Sequence, residues 1–149
     1  MKTVLVGIDL PDTNGRTLDT SITLARALGA RLVVLHVVRP PLNICDEWPD
    51  RDYAAAYSEQ AALHLTRLQR NLLQRRVTIE TRHVVGQPGQ RIVELASALV
   101  ATYVVVGTHD RGPIASFFLG GTAIQVLREA PCPVIVVPPA TRAQSRSPR

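Results

Sequence analysis

The regular alternation of short apolar runs with amphipathic segments constrains the fold of this chain most. Five runs of β-branched and aliphatic residues recur: Thr3–Ile8, Arg31–Val38, Val77–Val85, Tyr103–Val106 and Val134–Val137. Several are apolar almost throughout, which predicts strands buried on both faces, as in parallel sheets. In the gaps, apolar residues recur at steps of three and four, which predicts helices over about 13–28, 53–75, 88–99 and 120–129.

This order predicts an α/β fold, an open parallel five-stranded sheet with helices on both faces. The residues typical of helix ends agree with this order, because Gly29 follows the first predicted helix and Pro88 stands near the start of the third. In such sheets, ligands bind beyond the carboxyl ends of the strands, where the strand order reverses. We therefore expect the residues at or after strand ends to gather on one edge, the carboxyl rim: Asp9, Val38, Gly86 and Gly107.

Composition and charge exclude several classes of protein. The 149 residues are 46% hydrophobic and 19% charged, which predicts one folded domain. The net charge is +5, and three of the basic residues are arginines in the tail after Pro138. The rest of the chain has 14 basic and 12 acidic residues, a net charge of only +2. A nearly neutral body with 4% aromatic residues argues against nucleic-acid binding. We expect a domain over 1–138, a flexible basic tail over 139–149, and a soluble cytoplasmic protein without a membrane span.

The cysteines and histidines predict neither a metal site nor a catalytic residue. Cys45 and Cys132 form no CxxC pair and are expected to be thiols in a reducing compartment. The four histidines lack zinc-binding spacing: His36, His64, His83 and His109. The chain also contains no nucleophile elbow and no HExxH motif.

The strongest candidate for chemistry is the stretch from Val104 to Thr122. An apolar strand runs into Gly107, a polar loop, the pair Gly120-Gly121 and then a helix, the layout of a phosphate-binding turn. Gly107 either lets the backbone approach a ligand or merely permits a tight turn. Thr122 either satisfies its own helix terminus or contacts a ligand.

Two further features each leave two interpretations open. Asp9 follows a buried strand, and it either caps the following loop or binds a ribose hydroxyl or a Mg²⁺ ion. The segment Arg39–Asp52 is rich in proline and contains Trp48. It is either a surface excursion in which the tryptophan packs as an anchor, or a flap over the carboxyl rim.

Several strings in the chain resemble the universal stress protein family over about residues 1–138. The most characteristic is Val126–Val137, and the others are Val4–Asp9, Leu35–Val38, Val85–Pro88, Val104–His109 and Leu119-Gly120. The resemblance implies strand order 3-2-1-4-5, the adenine-nucleotide alpha-hydrolase-like architecture, homodimers and, in many members, ATP binding. It implies that Asp9 and Val38 frame the adenosine and that Gly107, Gly120 and Gly121 hold phosphates through backbone N–H groups.

The chain departs from the ATP-binding pattern of that family at two positions. In that pattern a first Gly is followed, after two residues, by a second Gly. Nine residues later come a third Gly and then a Ser or Thr. In this chain Asp110 stands at the second Gly and Gly121 stands at the Ser or Thr. The missing Ser or Thr hydroxyl at position 121 would weaken the binding free energy by the value of one hydrogen bond, about 0.5–1.5 kcal/mol. A carboxylate ~5 Å from a phosphate oxygen costs roughly 3 kcal/mol at an effective dielectric constant of 20. Arg111 or a bound Mg²⁺ would offset that charge, and AMP or a cyclic nucleotide would avoid it.

Two functions follow, with a homodimer expected under both. The first is a regulatory module that binds ATP with or without Mg²⁺ and supports at most slow ATP hydrolysis or autophosphorylation. The second is a scaffold that binds no nucleotide and acts through protein partners. The last strand is fully apolar and is expected at a sheet edge, where antiparallel pairing with a second copy would cover it: Val134, Ile135, Val136 and Val137. A redox module is disfavoured, because no Gly-x-Gly-x-x-Gly follows the first strand.

Overall fold

The computed structural model describes residues 1–8, 15–39, 51–108 and 120–138, and within them strands and helices alternate as predicted. The strands are β1 (Thr3–Ile8), β2 (Arg31–Val38), β3 (Ile79–Val85), β4 (Tyr103–Gly107) and β5 (Val134–Val137). The helices are α1 (Arg16–Leu28), α2 (Arg51–Leu72), α3 (Pro88–Ala98) and α4 (Gly121–Glu129). A short 3-10 helix, Leu73–Arg75, extends α2.

All five strands are parallel and form one sheet in the order β3-β2-β1-β4-β5, as predicted. Val38 pairs with Val85, and Gly107 pairs with Val137, so these strands end level with one another. The chain moves outward from β1 to β2 and β3 and then returns to the other side of β1 for β4. The strand order therefore reverses between β1 and β4, and the carboxyl rim at that point is where open α/β sheets bind ligands.

The helices cover both faces of the sheet, which explains why the central strands are apolar almost throughout. On one face, α1 and α2 pack on alternate strand residues through Leu18, Ile22, Ala25, Leu65 and Leu72. On the other face, α3 and α4 pack on the intervening residues through Ile92, Ala96, Ala123 and Val126. Successive residues of a strand point to opposite faces, so a strand between two helical layers has no solvent side.

The boundaries differ from the sequence predictions in a few places. β3 starts at Ile79 rather than Val77, because Arg76 adopts a left-handed conformation (φ 55) that turns the chain before the strand. α2 begins at Arg51, so the last two residues of the Arg39–Asp52 segment are helical. Gly29 ends α1 with a φ of 60, as expected of the residue after a helix.

Some predictions fall partly or wholly outside the described residues. Among the helices that the structure does describe, none is long and apolar enough to cross a membrane. The tail over 139–149 lies outside the described ranges, as do residues 40–50 with Trp48. Residues 40–50 also include Cys45, and four further residues singled out from the sequence lie outside the described ranges: Asp9, His109, Asp110 and Arg111.

Candidate functional site

The described candidate residues lie at the carboxyl rim or in the first turn of α4. Val38 is the last residue of β2 and Gly107 is the last residue of β4. Gly120 is the N-cap of α4, and Gly121 and Thr122 are its first two residues. The parallel strand β5 follows α4, so α4 runs back along the sheet and starts on the side where the strands end. The fold thus places the two glycine-containing ends of the candidate loop on the same side of the sheet.

The first turn of α4 presents backbone N–H groups that the helix itself does not use. The first helical hydrogen bond runs from the Ile124 N–H to the Gly120 carbonyl, at 3.1 Å. No side chain in the described part of the molecule caps this end. The preceding N–H groups have no acceptor within the helix, and the helix dipole makes this end partially positive. Such an end favours anions, and phosphate in particular.

Arg39 adds a full positive charge to this region and was missed by the sequence analysis. Its Nη2 donates a hydrogen bond to Oγ1 of Thr122 at 3.1 Å. Arg39 directly follows β2, and β1 lies between β2 and β4 in the sheet, so the bond links elements on either side of β1. The rule that selected Val38, a position at a strand end, would also have selected Arg39.

The hydrogen bond also bears on the two interpretations of Thr122. Thr122 is the second residue of α4, and the N-cap position, Gly120, has no side chain with which to cap the helix. Its hydroxyl instead accepts from the Arg39 guanidinium. A guanidinium beside a helix N-terminus opposes the helix dipole, and an anion bound between them would be attracted by both.

Gly107 lies in close contact with the start of α1. A Cβ added at Gly107 would lie 2.6 Å from Oγ1 of Thr17, closer than real Cβ contacts come. Glycine at this position therefore permits α1 to pack against the end of β4. Thr17, in the first turn of α1, is the second rim residue that sequence reasoning missed, because only the fold brings it to Gly107.

Gly121 and Val38 differ sharply in the space around them. A Cβ added at Gly121 would have no neighbouring heavy atom within 4 Å among the described residues. Val38 is buried, with 4% of its surface exposed, and its carbonyl accepts a 3.0 Å hydrogen bond from the Gly86 N–H. Among the described residues, none crowds the first turn of α4 at Gly121, whereas Val38 is enclosed and its carbonyl is already engaged by Gly86.

The described histidines and the described cysteine form no metal centre. His36 is buried in β2, with Nδ1 3.2 Å from the carbonyl oxygen of Ile8. In the ranges that the structure describes, no three His, Cys, Asp or Glu side chains cluster as metal ligands would. Cys132 is a half-buried free thiol. Burial raises the pKa of that thiol, against the smaller opposing effect of a backbone hydrogen bond to Val104.

The fold and the rim define a doubly wound α/β protein with an anion-favouring site at its topological switch point. The sequence profile of the universal stress protein family matches residues 1–138. A universal stress protein from Thermus aquaticus is 32% identical over 145 residues, which cover 91% of this chain and 98% of the relative. This chain belongs to the universal stress protein family.

Solved structures share the fold along nearly the whole chain. A universal stress protein family member from Burkholderia pseudomallei superimposes with a TM-score of 0.73 at 27% identity, covering 93% of this chain and 96% of that one. A universal stress protein solved in complex with cAMP superimposes with a TM-score of 0.67 at 28% identity, covering 93% and 98%. The family and the strand order implied by the sequence resemblance are thus confirmed.

Proposed function

We propose that this protein is a small stress-response regulatory module that binds an adenine nucleotide at the carboxyl rim. The observation that carries the proposal is the arrangement of the α4 N-terminus, where uncapped backbone N–H groups lie beside the Arg39–Thr122 hydrogen bond. Both features attract a phosphate. The cAMP complex of a 28% identical relative supports an adenine nucleotide as the ligand class.

In this proposal each rim residue has a distinct task. Asp9 and Val38 frame the adenosine, and Asp9 is also the proposed Mg²⁺ ligand. The backbone N–H groups of Gly107, Gly120 and Gly121 hold the phosphates. Arg39 neutralises phosphate charge, and its hydrogen bond keeps the Thr122 hydroxyl oriented at the first turn of α4.

ATP with Mg²⁺ is the proposed nucleotide, and AMP is the alternative. No described residue lies within 4 Å of a Cβ placed on Gly121, which is compatible with a phosphate close to the helix start. Arg39 supplies a cation that helps offset the carboxylate of Asp110. No catalytic residue is assigned, so any ATP hydrolysis or autophosphorylation would be slow and would depend on water or Mg²⁺ positioned by these groups.

The second candidate function is a dimeric scaffold that binds no nucleotide, and the edge strand β5 supplies the surface through which two copies would pair. β5 lies at an edge of the sheet. The N–H groups of Val104 and Thr108 donate to the carbonyls of Pro133 and Val137, so backbone groups at odd positions of β5 face β4. Because strand backbone groups alternate in direction, those of Val134 and Val136 face outward. We propose that they pair antiparallel with the same residues of a second copy under either function.

Nucleotide carried through purification separates the two functions. The purified protein is denatured and filtered, and the filtrate is examined at 260 nm and by chromatography. The proposal predicts an adenine nucleotide in the filtrate, or a saturable thermal shift when ATP-Mg²⁺, AMP or cAMP is added. A filtrate without nucleotide, together with no thermal shift at millimolar concentrations of all three, would leave the scaffold as the function.

A further inference from the structure

A second positively charged site lies at the opposite end of the sheet from the carboxyl rim. A cavity of about 320 Å³ opens between the end of α1, the start of β2 and the turn before β3. Its charged lining residues are Arg26, Arg31 and Arg76, and this site is called the basic cavity below. It is a half-open depression rather than an enclosed pocket, and its residues Arg26 and Arg76 are exposed to solvent.

The charges of the basic cavity are only partly neutralised. None of its lining residues is acidic. Arg31 is held in place, because its Nε donates to Oγ1 of Thr3 at 2.9 Å and its Nη1 lies 3.7 Å from Glu80 Oε2. Within the described ranges, neither Arg26 nor Arg76 forms an ion pair. Two guanidinium groups at this cavity therefore lack a described counter-charge.

Helix electrostatics account for Arg26 and for Arg76, which is the C-cap of the 3-10 helix at the end of α2, but not for Arg31. Arg26 lies in the last turn of α1, where a cation is favoured by the helix dipole. Arg31 begins β2, and Arg76 follows the 3-10 helix. Arg76 has a φ of 55, a left-handed conformation that is uncommon for residues other than glycine. Three separate elements thus direct a basic residue to one cavity, and one of them does so in an unfavourable backbone conformation.

The remaining lining residues indicate the class of ligand. Ala25, Ala30 and Val77 supply an apolar wall, and Thr78 adds a hydroxyl. Guanidinium groups match the geometry of phosphate oxygens and bind them through paired hydrogen bonds. We propose that the basic cavity binds a small organic molecule that carries a phosphate or diphosphate group, separately from the nucleotide at the carboxyl rim.

Titration of the full-length protein with inorganic pyrophosphate tests this proposal. Affinity is measured by calorimetry at low ionic strength without Mg²⁺, because salt screens exposed charges. The variant Arg26→Gln/Arg76→Gln is expected to bind at least tenfold more weakly than wild type. The control is Arg67→Gln/Arg128→Gln, which removes the same charge from exposed positions outside the cavity. It is expected to stay within about twofold of wild type.

The location of binding is tested independently of affinity. Pyrophosphate is expected to shift the backbone amide resonances of Gly29 and Thr78, at the basic cavity, and these shifts are expected to be lost in Arg26→Gln/Arg76→Gln and kept in Arg67→Gln/Arg128→Gln. A shift of the Gly107 resonance reports phosphate at the carboxyl rim, and it is expected to be the same in both double variants. Equal weakening in both double variants, no weakening in either, or pyrophosphate shifts confined to the carboxyl rim would overturn the proposal. The two sites are thus read from different resonances, so failure of one proposal is distinguishable from failure of the other.

Discussion

The Arg39 guanidinium donates to the Thr122 hydroxyl at 3.1 Å, across 83 positions of sequence. This contact joins the end of β2 to the first turn of α4, and it brings a positive charge to a helix end that is already partially positive. A bound phosphate would turn this unfavourable proximity into a favourable one.

Arg39→Gln is expected to weaken ATP-Mg²⁺ binding about three- to tenfold. Arg39 is exposed, so its contribution is of the order of 1 kcal/mol rather than that of a buried pair. The change is expected to leave the thermal midpoint almost unaltered. Calorimetry on wild type, Arg39→Gln and Arg39→Lys measures the effect, with Arg128→Gln as the control for net charge. Equal affinities in wild type and Arg39→Gln would show that Arg39 does not contact the ligand.

Gly121→Ser is expected to tighten ATP binding about two- to tenfold. A Cβ at this position meets no described atom within 4 Å, and the serine adds a hydroxyl at the start of α4. One hydrogen bond is worth about 0.5–1.5 kcal/mol. Gly121→Ala is the matched control, because it adds the same Cβ without the hydroxyl. If the two variants bind ATP equally, the hydroxyl has no part in binding.

Asp110→Gly is expected to tighten ATP binding by about tenfold, which is less than the roughly hundredfold that the unopposed repulsion of about 3 kcal/mol would give, because Mg²⁺ and Arg39 offset part of the charge. The sequence frame aligns Asp110 with a glycine of the ATP-binding pattern, and its carboxylate repels phosphate. Asp110→Asn separates the two effects, since it removes the charge and keeps the side chain. Calorimetry with AMP is expected to show a smaller gain than with ATP, because fewer phosphate charges are present. An unchanged or lower ATP affinity in both variants would contradict the charge argument.

Val136→Pro is expected to convert a dimer into a monomer. The backbone N–H of Val136 faces away from β4, so proline removes an outward donor and leaves the pairing of β4 with β5 intact. Val136→Ala is the matched control, because it shortens the side chain and keeps the N–H. Light scattering at micromolar concentration measures the mass. A monomeric wild type, or a Val136→Pro variant that stays dimeric, would exclude pairing through β5.

Cys132 is expected to react slowly with alkylating reagents at neutral pH. Burial raises the pKa of its thiol, so the thiolate forms at a higher pH than in an unfolded chain. The rate of iodoacetamide alkylation is measured against pH in the Cys45→Ser background, with the same variant in urea as the control. The folded protein is expected to show the higher midpoint. A midpoint at or below that in urea would contradict the burial argument.

Local pattern was sufficient to predict most of the fold. The predicted bounds of β1, β2 and β5 coincide with those in the structure, because a two-sided apolar run ends where burial ends. The predicted start of β3, Val77, was wrong by two residues. Val77 and Thr78 have strand propensity, but they follow the left-handed turn at Arg76 and precede the strand. Propensity carries no information about such a turn when the residue is not glycine.

The candidate site was less predictable than the fold. The sequence identified the glycines and strand ends, because backbone requirements leave a local signature. It did not identify the contact of Arg39 with Thr122 or the approach of Thr17 to Gly107, since both are created only when distant segments meet. Side-chain pairs of this kind follow from the sheet order and the helix positions, which no single segment encodes.

Titration of the wild-type protein with ATP-Mg²⁺ tests the central claim most directly. The protein is stripped of bound nucleotide by unfolding and refolding, and heat is recorded on addition of ATP-Mg²⁺. Saturable binding of one ATP per chain, weakened by Arg39→Gln and not by Arg128→Gln, is the predicted result. The absence of both heat and thermal stabilisation at millimolar ATP-Mg²⁺ would contradict it.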